Sequence, residues 1–162
     1  MKIGGRHYRT IWLNADGWSV EIIDQTKLPH RFETVTLRTC GDAARAILTM
    51  QVRGAPLIGI TAAYGLCLAL REDASDEAMD RAIDYLASQR PTAINLRWAL
   101  DQVRAAVRNL PREQRVEAAY KRTAELADED VETCRRIGVN GLELLKEIAS
   151  RKKPGEPVNV LT

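Results

Sequence analysis

The sequence predicts an α+β protein, mainly helical, in which a small N-terminal antiparallel β-meander precedes a helical bundle. Three observations carry that prediction. Apolar and polar residues alternate across residues 8–23, as in half-buried strands. The apolar period lengthens to that of a helix past Gly41, and helical spacing then continues, punctuated by glycines and prolines, to about Ser150. A length of 162 residues suits one ordinary domain with a real core, since domains cluster at ~100–150 residues.

The alternation runs on both sides of Asn14-Ala15-Asp16-Gly17, with Ile11 and Leu13 before it and Trp18, Val20 and Ile22 after it, and predicts a β-hairpin. Leu28-Pro29 breaks the chain, and Val35-Thr36-Leu37 is β-branched enough to supply a third strand. Ala43, Ala44, Ile47, Leu48 and then Met50 or Val52 recur at helical spacing up to Gly54, which is placed like a C-cap glycine. Pro56 stands at an expected first helical position, and residues 57–70 are apolar on nearly every face, as in a helix buried all round. Gly59 and Gly65 would let neighbours approach closely.

Ser75-Asp76-Glu77 opens a third helix with one apolar face, which must end before Pro91. A fourth is expected over residues 95–109, with Leu96, Ala99, Leu100, Val103 and Val107 facing inward and Pro111 stopping it. The last, over residues 113–150, exceeds the usual length. It is expected to bend near Gly138 or Gly141 or to leave the domain. Arg151-Lys152-Lys153-Pro154-Gly155 supplies a cationic last turn and breakers, and residues 158–161 read as the start of a strand. A final strand with nothing after it to pair is odd for a complete protein, so a chain cut from something longer is expected. The boundaries are thus a meander over residues 1–40 and a bundle over 41–153, together one N-terminal domain, then a linker and the start of a missing domain over 154–162.

Composition excludes several classes. The apolar share of 45% and the charged share of 28% are ordinary for globular proteins. Phe32 is the one phenylalanine, so aliphatic residues must build the core. Twenty-four Lys and Arg against 22 Asp and Glu leave a net charge of +2, too even for a nucleic-acid footprint. The longest apolar run falls short of the ~20 residues that cross a bilayer, and no apolar signal region opens the chain. The expectation is a cytoplasmic protein with neither nucleic-acid nor membrane partner. Cys40, Cys67 and Cys134 are odd in number and lack ligand spacing, so neither a disulfide framework nor a metal site is expected. Cys67, in an apolar stretch, reads as a small buried hydrophobe. Tyr64 and Trp98, at helical spacing, read as core.

Two turns carry candidate chemistry. Arg53-Gly54-Ala55-Pro56 sets an arginine and two small residues where a very apolar helix begins, and Arg90-Pro91-Thr92 repeats the arrangement with possible caps at Thr92 or Asn95. Free N–H groups and the helix dipole favour an anion there, and arginine can fork onto its oxygens. On spacing alone the simpler roles are favoured: Arg53 neutralising the carbonyl end of the preceding helix, Arg90 an ordinary surface charge.

The order of segments changes that weighting. Residues 24–29 (Asp-Gln-Thr-Lys-Leu-Pro), 50–60 (Met-Gln-Val-Arg-Gly-Ala-Pro-Leu-Ile-Gly-Ile) and 90–99 (Arg-Pro-Thr-Ala-Ile-Asn-Leu-Arg-Trp-Ala) resemble successive blocks of the methylthioribose-1-phosphate isomerases, as do Ile137-Gly138 and residues 141–145. The resemblance covers essentially the whole chain, as the N-terminal part of such an enzyme. Related branches are the regulatory subunits of initiation factor 2B and the ribose-1,5-bisphosphate isomerases. Asn95 and Trp98 resemble the methylthioribose branch, and the Arg-Gly-Ala-Pro turn is generally lost in the initiation-factor branch.

The resemblance implies an aldose–ketose isomerase of methionine salvage that converts 5-methylthioribose 1-phosphate to 5-methylthioribulose 1-phosphate without metal or organic cofactor. It implies that Arg53, Gly54, Ala55 and Arg90 bind the substrate phosphate. It also implies that the catalytic cysteine and aspartate belong to an α/β Rossmann-like C-terminal domain beyond Thr162, so no catalytic residue is assigned here. None of the three cysteines aligns with the catalytic one. The whole enzyme is expected to be a homodimer, and this chain alone to be inactive, with its unpaired last strand open to association. The alternatives are a fragment of an initiation factor 2B-like regulatory subunit or of a ribose-1,5-bisphosphate isomerase relative.

Overall fold

The computed structural model describes residues 2–153 and 155–161, and the chain divides into two compact units, Met1–Leu126 and Ala127–Thr162. The first unit opens with a hairpin that the alternation does not reveal. Strands β1 (Lys2–Ile3) and β2 (Arg6–His7) pair antiparallel across Gly4 and Gly5, which adopt positive φ of 55° and 80°. Two-residue strands are too short to display a period.

The expected meander follows. Asp16 shapes its first turn, accepting from the backbone N–H groups of Trp18 and Ser19 and from the Ser19 hydroxyl at 2.6 Å, while Gly17 takes a φ of 76°. Strands β3 (Ile11–Leu13) and β4 (Val20–Ile23) pair with Ile11 opposite Ile22 and Leu13 opposite Val20. On the other edge of β4, β5 (Thr34–Leu37) sets Leu37 opposite Val20. Val20, Ile22 and Ile23 are fully buried, so this central strand anchors the sheet to the core.

Helix α1 (Cys40–Leu48) starts at a capping box: the Thr39 hydroxyl accepts from the Asp42 N–H, and the Asp42 carboxylate accepts from the Thr39 N–H. Helix α2 (Ala55–Glu72) is the hub, buried at every position from Leu57 to Leu68. A Cβ at Gly65 would lie 2.8 Å from Ala43 Cβ on α1 and 3.0 Å from a Leu86 methyl on α3 (Asp76–Ser88). A Cβ at Gly59 would lie 2.7 Å from the Asn95 carbonyl oxygen on α4 (Ile94–Val107). The two glycines therefore let α2 press against three helices at once. Helix α5 (Arg112–Ser150) begins inside the first unit, where the Arg115 guanidinium donates to the carbonyls of Leu110, Ala74 and Arg108 and pairs with Asp76 at 2.8 Å. Thr123 meets Cys67 at 3.2 Å, and the Tyr120 hydroxyl donates to the Trp18 carbonyl at 2.7 Å.

Several expectations need correction. Helix α1 ends at Leu48, so Gly54 is not its C-cap. Thr49 ends the helix by turning its hydroxyl onto the Arg45 carbonyl, and Met50 then takes the left-handed conformation, φ 61°. Pro56 is the second helical residue rather than the first, and α4 begins after Ala93 with no side-chain cap, neither Thr92 nor Asn95 serving. Tyr64 is buried, but Trp98 is half exposed on α4 beside exposed Ile94.

Helix α5 continues through Gly138 and Gly141, and its residues from Ala127 belong to the second unit. In that unit Val131, Ile137, Leu142, Leu144, Leu145 and Ile148 are exposed. Residues 158–161 form no strand, since among the described residues none lies alongside to pair with them; Pro154 and Thr162, part of the same expectation, lie outside the described residues. Among the described residues no helix is long and apolar enough to cross a membrane.

Candidate functional site

The local sequence after α1 determines how Arg53 is presented. After the left-handed Met50, the chain turns back and buries Val52 completely, its N–H donating to the Ala46 carbonyl at 3.3 Å. With Val52 pinned inward, Arg53 points outward as an exposed residue, followed by exposed Gly54 and Ala55. Gly54, at φ 93°, is the residue before α2, a conformation that costs any L side chain strain. Its carbonyl accepts from the Ile58 N–H at 3.0 Å. The N–H groups of Ala55 and Leu57 precede the first intrahelical acceptor, and Pro56 has none to give.

Arg90 is half-buried in the turn between α3 and α4, where its carbonyl accepts from the Ala93 N–H at 3.0 Å. It borders a cavity of about 210 Å³ with Asp84, Ser88, Pro91, Leu96 and Arg97 among its other walls. Two arginines and one carboxylate leave that cavity with a cationic excess.

The helix starts differ in one respect that bears on ligands. Helices α1 and α3 neutralise their own N-termini: Thr39 and Ser75 cap them, and Asp42, or Asp76 with Glu77, stands in the first turn. Helices α2 and α4 have no side-chain cap and no acidic residue in the first turn. These are the two helices that follow the arginine turns. They also touch near their starts, because Gly59, the fifth residue of α2, meets Asn95, the second of α4. Ala55 lies four residues from Gly59, about 6 Å along a helix axis. The first residue of α2 thus stands about one helical turn from the α2–α4 contact, while the cavity that Arg90 borders is walled by residues of the α3–α4 turn and not by Arg53.

Sequence reasoning missed the support behind this region. Asp24, only 5% exposed, sits in the loop after β4 and accepts from the Gln51 side-chain amide at 3.1 Å, and the Gln25 N–H donates to the Gln51 carbonyl at 2.9 Å. Burial pushes the Asp24 carboxyl up, but the Thr26 hydroxyl and N–H, Gln51 and Lys27 outweigh it and hold the group below the ordinary aspartate range. No local pattern announces a contact between residues so far apart in sequence. Arg97 was also missed, because one charge on an exposed helical face carries no signal of its own.

Cys40 and Cys67 lack the character of nucleophiles or acid–base groups at neutral pH. Complete burial pushes the Cys67 thiol up to about 12, against a weaker opposing effect of Thr123, and burial with nearby Glu72 pushes Cys40 up to about 11. Cys134 is exposed on α5. Among the described residues no group of three or more His, Cys, Asp or Glu is placed to hold a metal ion.

Comparison with known proteins gives the region a context. The chain is 60% identical over all 162 residues to a methylthioribose-1-phosphate isomerase of Sinorhizobium medicae, of which it spans 44%. Among solved structures it is similar to 5-methylthioribose 1-phosphate isomerase from Pyrococcus horikoshii, with TM-score 0.76 and 33% identity over 83% of this chain and 40% of that one. It is also similar to the translation initiation factor eIF-2B delta subunit from A. fulgidus, with TM-score 0.71 and 36% identity over 78% of this chain and 38% of that one. The Initiation factor 2 subunit family matches residues 51–150, a stretch that begins just before the first arginine turn and takes in the second. With well over half of its residues inside that match, the chain belongs to the Initiation factor 2 subunit family.

Proposed function

We propose that this chain is the N-terminal, phosphate-binding part of a methylthioribose-1-phosphate isomerase, an aldose–ketose isomerase of methionine salvage. Arg53 with the Gly54 and Ala55 backbone, and Arg90, hold the phosphate of 5-methylthioribose 1-phosphate. One observation carries the reading: the two helix starts left uncapped and free of carboxylates are the two preceded by these arginines, and the helices touch through Gly59 and Asn95. Identity of 60% across the whole chain to a curated isomerase supports the choice of sugar phosphate. Retention of Arg-Gly-Ala-Pro favours the enzyme over an initiation-factor regulatory subunit, and Asn95 with Trp98 favours it over a ribose-1,5-bisphosphate isomerase. The same reading carries a homodimeric whole enzyme in the cytoplasm.

The phosphate clamp is here a binding device. It grips substrate and transition state nearly alike, which lowers KM without accelerating the proton transfers between the sugar carbons. Those transfers need an acid and a base in a largely water-free pocket, which the reading assigns to the portion of the isomerases that this chain does not span.

Calorimetric titration of the chain with 5-methylthioribose 1-phosphate tests the proposal, with NMR of the same samples following the ketose. Saturable binding without turnover is expected, weakened about tenfold or more by Arg90→Ala, since a charged hydrogen bond is worth ~1.5–3 kcal/mol. Binding that is indifferent to both Arg53→Ala and Arg90→Ala would refute the assignment of the clamp. Turnover by the chain alone would refute the division of labour.

A further inference from the structure

Asp24 is the one buried carboxylate of the β4–β5 loop, and it reaches across 27 residues of sequence to Gln51. Its two oxygens are divided between the two sides. Oδ1 accepts from the Thr26 N–H at 3.0 Å and from the Thr26 hydroxyl at 2.6 Å, which shapes the loop itself. Oδ2 accepts from the Gln51 side chain at 3.1 Å. A second bond beside it, Gln25 N–H to the Gln51 carbonyl at 2.9 Å, makes a two-point clasp on a single residue.

Gln51 lies between left-handed Met50 and buried Val52, two residues before Arg53. A non-glycine residue at φ 61° is a strained joint that persists only where its surroundings hold it. Without the clasp, the segment between Thr49 and Gly54 would be held by the Val52 anchor and by the long bond from the Met50 N–H to the Ile47 carbonyl, 3.4 Å, both upstream of Arg53. The direction taken by Arg53, and the aim of the Ala55 N–H, would then spread over several arrangements.

We propose that Asp24 is a positioning residue for the phosphate clamp: by clasping Gln51 it fixes the turn that presents Arg53, Gly54 and Ala55, and so lowers the ordering cost of binding the anion. The proposal rests on the phosphate-site reading above and adds to it a residue that makes no contact with the ligand. Asp24 works through Gln51, whose side chain and carbonyl are both occupied by the loop. The expected effect is on affinity, because a preorganised site binds more tightly than one that must be ordered by its ligand.

The experiment is a titration of the ¹⁵N-labelled chain with inorganic phosphate, following the Ala55 and Leu57 amides, beside hydrogen exchange of the Gln25 amide. Asp24→Ala and Gln51→Ala are each expected to weaken phosphate about three- to tenfold, the range that one net hydrogen bond spans, and to speed exchange at Gln25. Gln51→Ala leaves Asp24 its Thr26 bonds, so it reports on the clasp even if Asp24→Ala fails to fold. Asp24→Asn should restore wild-type affinity, because its Oδ1 keeps the Thr26 bonds and the Gln51 amide can rotate to accept from its Nδ2. A purely structural role would lower the melting temperature and leave affinity unchanged, and that result overturns the proposal while leaving the phosphate site standing. A wild-type chain whose Ala55 and Leu57 amides ignore phosphate overturns the site reading itself, and with it the role of Asp24.

Discussion

At the scale of single residues, Gly65 measures how tightly the helices are drawn around α2. Because an added Cβ would meet Ala43 Cβ at 2.8 Å and Leu86 methyls at 3.0 and 3.3 Å, Gly65→Ala must push α1 or α3 outward. Overpacking of this kind costs about 1–3 kcal/mol, and it should appear as a lower urea midpoint at unchanged slope. An unaltered midpoint would show that the helices stand further apart. The need for a small residue there was legible, because a glycine inside an otherwise apolar helix has few reasons other than close approach. The burial of Cys67 was legible for the same reason, since its neighbours in sequence are apolar on every side. Trp98 was not: helical spacing marks a position on the helix, but which neighbour covers it depends on how the helices dock, and half of this ring stays in solvent. Asp24 was hidden further still, because its partner Gln51 is brought to it only by the fold.

At the scale of elements, stability and pH are linked through the α1 capping box. Burial raises the pKa of Asp42, but hydrogen bonds from the Arg38 and Thr39 N–H groups and the Thr39 hydroxyl, with Arg45 nearby, bring it below the ordinary aspartate value of 3.8. A carboxyl whose pKa is depressed by folding adds stability above the unfolded value and loses it as pH falls through the folded one. Urea unfolding between pH 7 and pH 2 should therefore show stability falling below pH 3.8, with a shallower fall for Asp42→Asn, which is already weakened at neutral pH. Equal slopes for the two proteins would remove Asp42 from the acid response. Ser75 was readable as a cap from its position before an acidic first turn, and the order of meander and helices was readable from the two periods. Gly54 was misread because a glycine between two helices suits the end of one as well as the start of the next. Met50, a residue without that conformational freedom, supplies the left-handed position instead. Residues 158–161, read as the start of a strand, form none, since β-branched alternation describes a preference that only a neighbouring strand can satisfy.

At the scale of the whole molecule, the fold packs α2 against α4 through Gly59 and Asn95. Helix α2 carries its apolar length through the middle of the first unit, and its start, like that of α4, remains at the surface with positive charge unanswered. The arginine turns themselves were legible as anion-binding candidates. The contact of the helices that follow them was not, because it depends on Gly59 meeting Asn95 across the α2–α4 packing. The chain spans 44% of the curated isomerase it matches at 60% identity. Titration of the ¹⁵N-labelled chain with inorganic phosphate, read at both helix starts, tests the proposed grip of Arg53 and Arg90 on one phosphate. The amides of Ala55 and Leu57 on α2 and of Ile94 and Asn95 on α4 should shift together along one saturation curve, and Arg53→Ala should weaken the response of both sets equally. Two sets that saturate at different concentrations, or an α4 set untouched by Arg53→Ala, would mean that the arginines do not share a ligand.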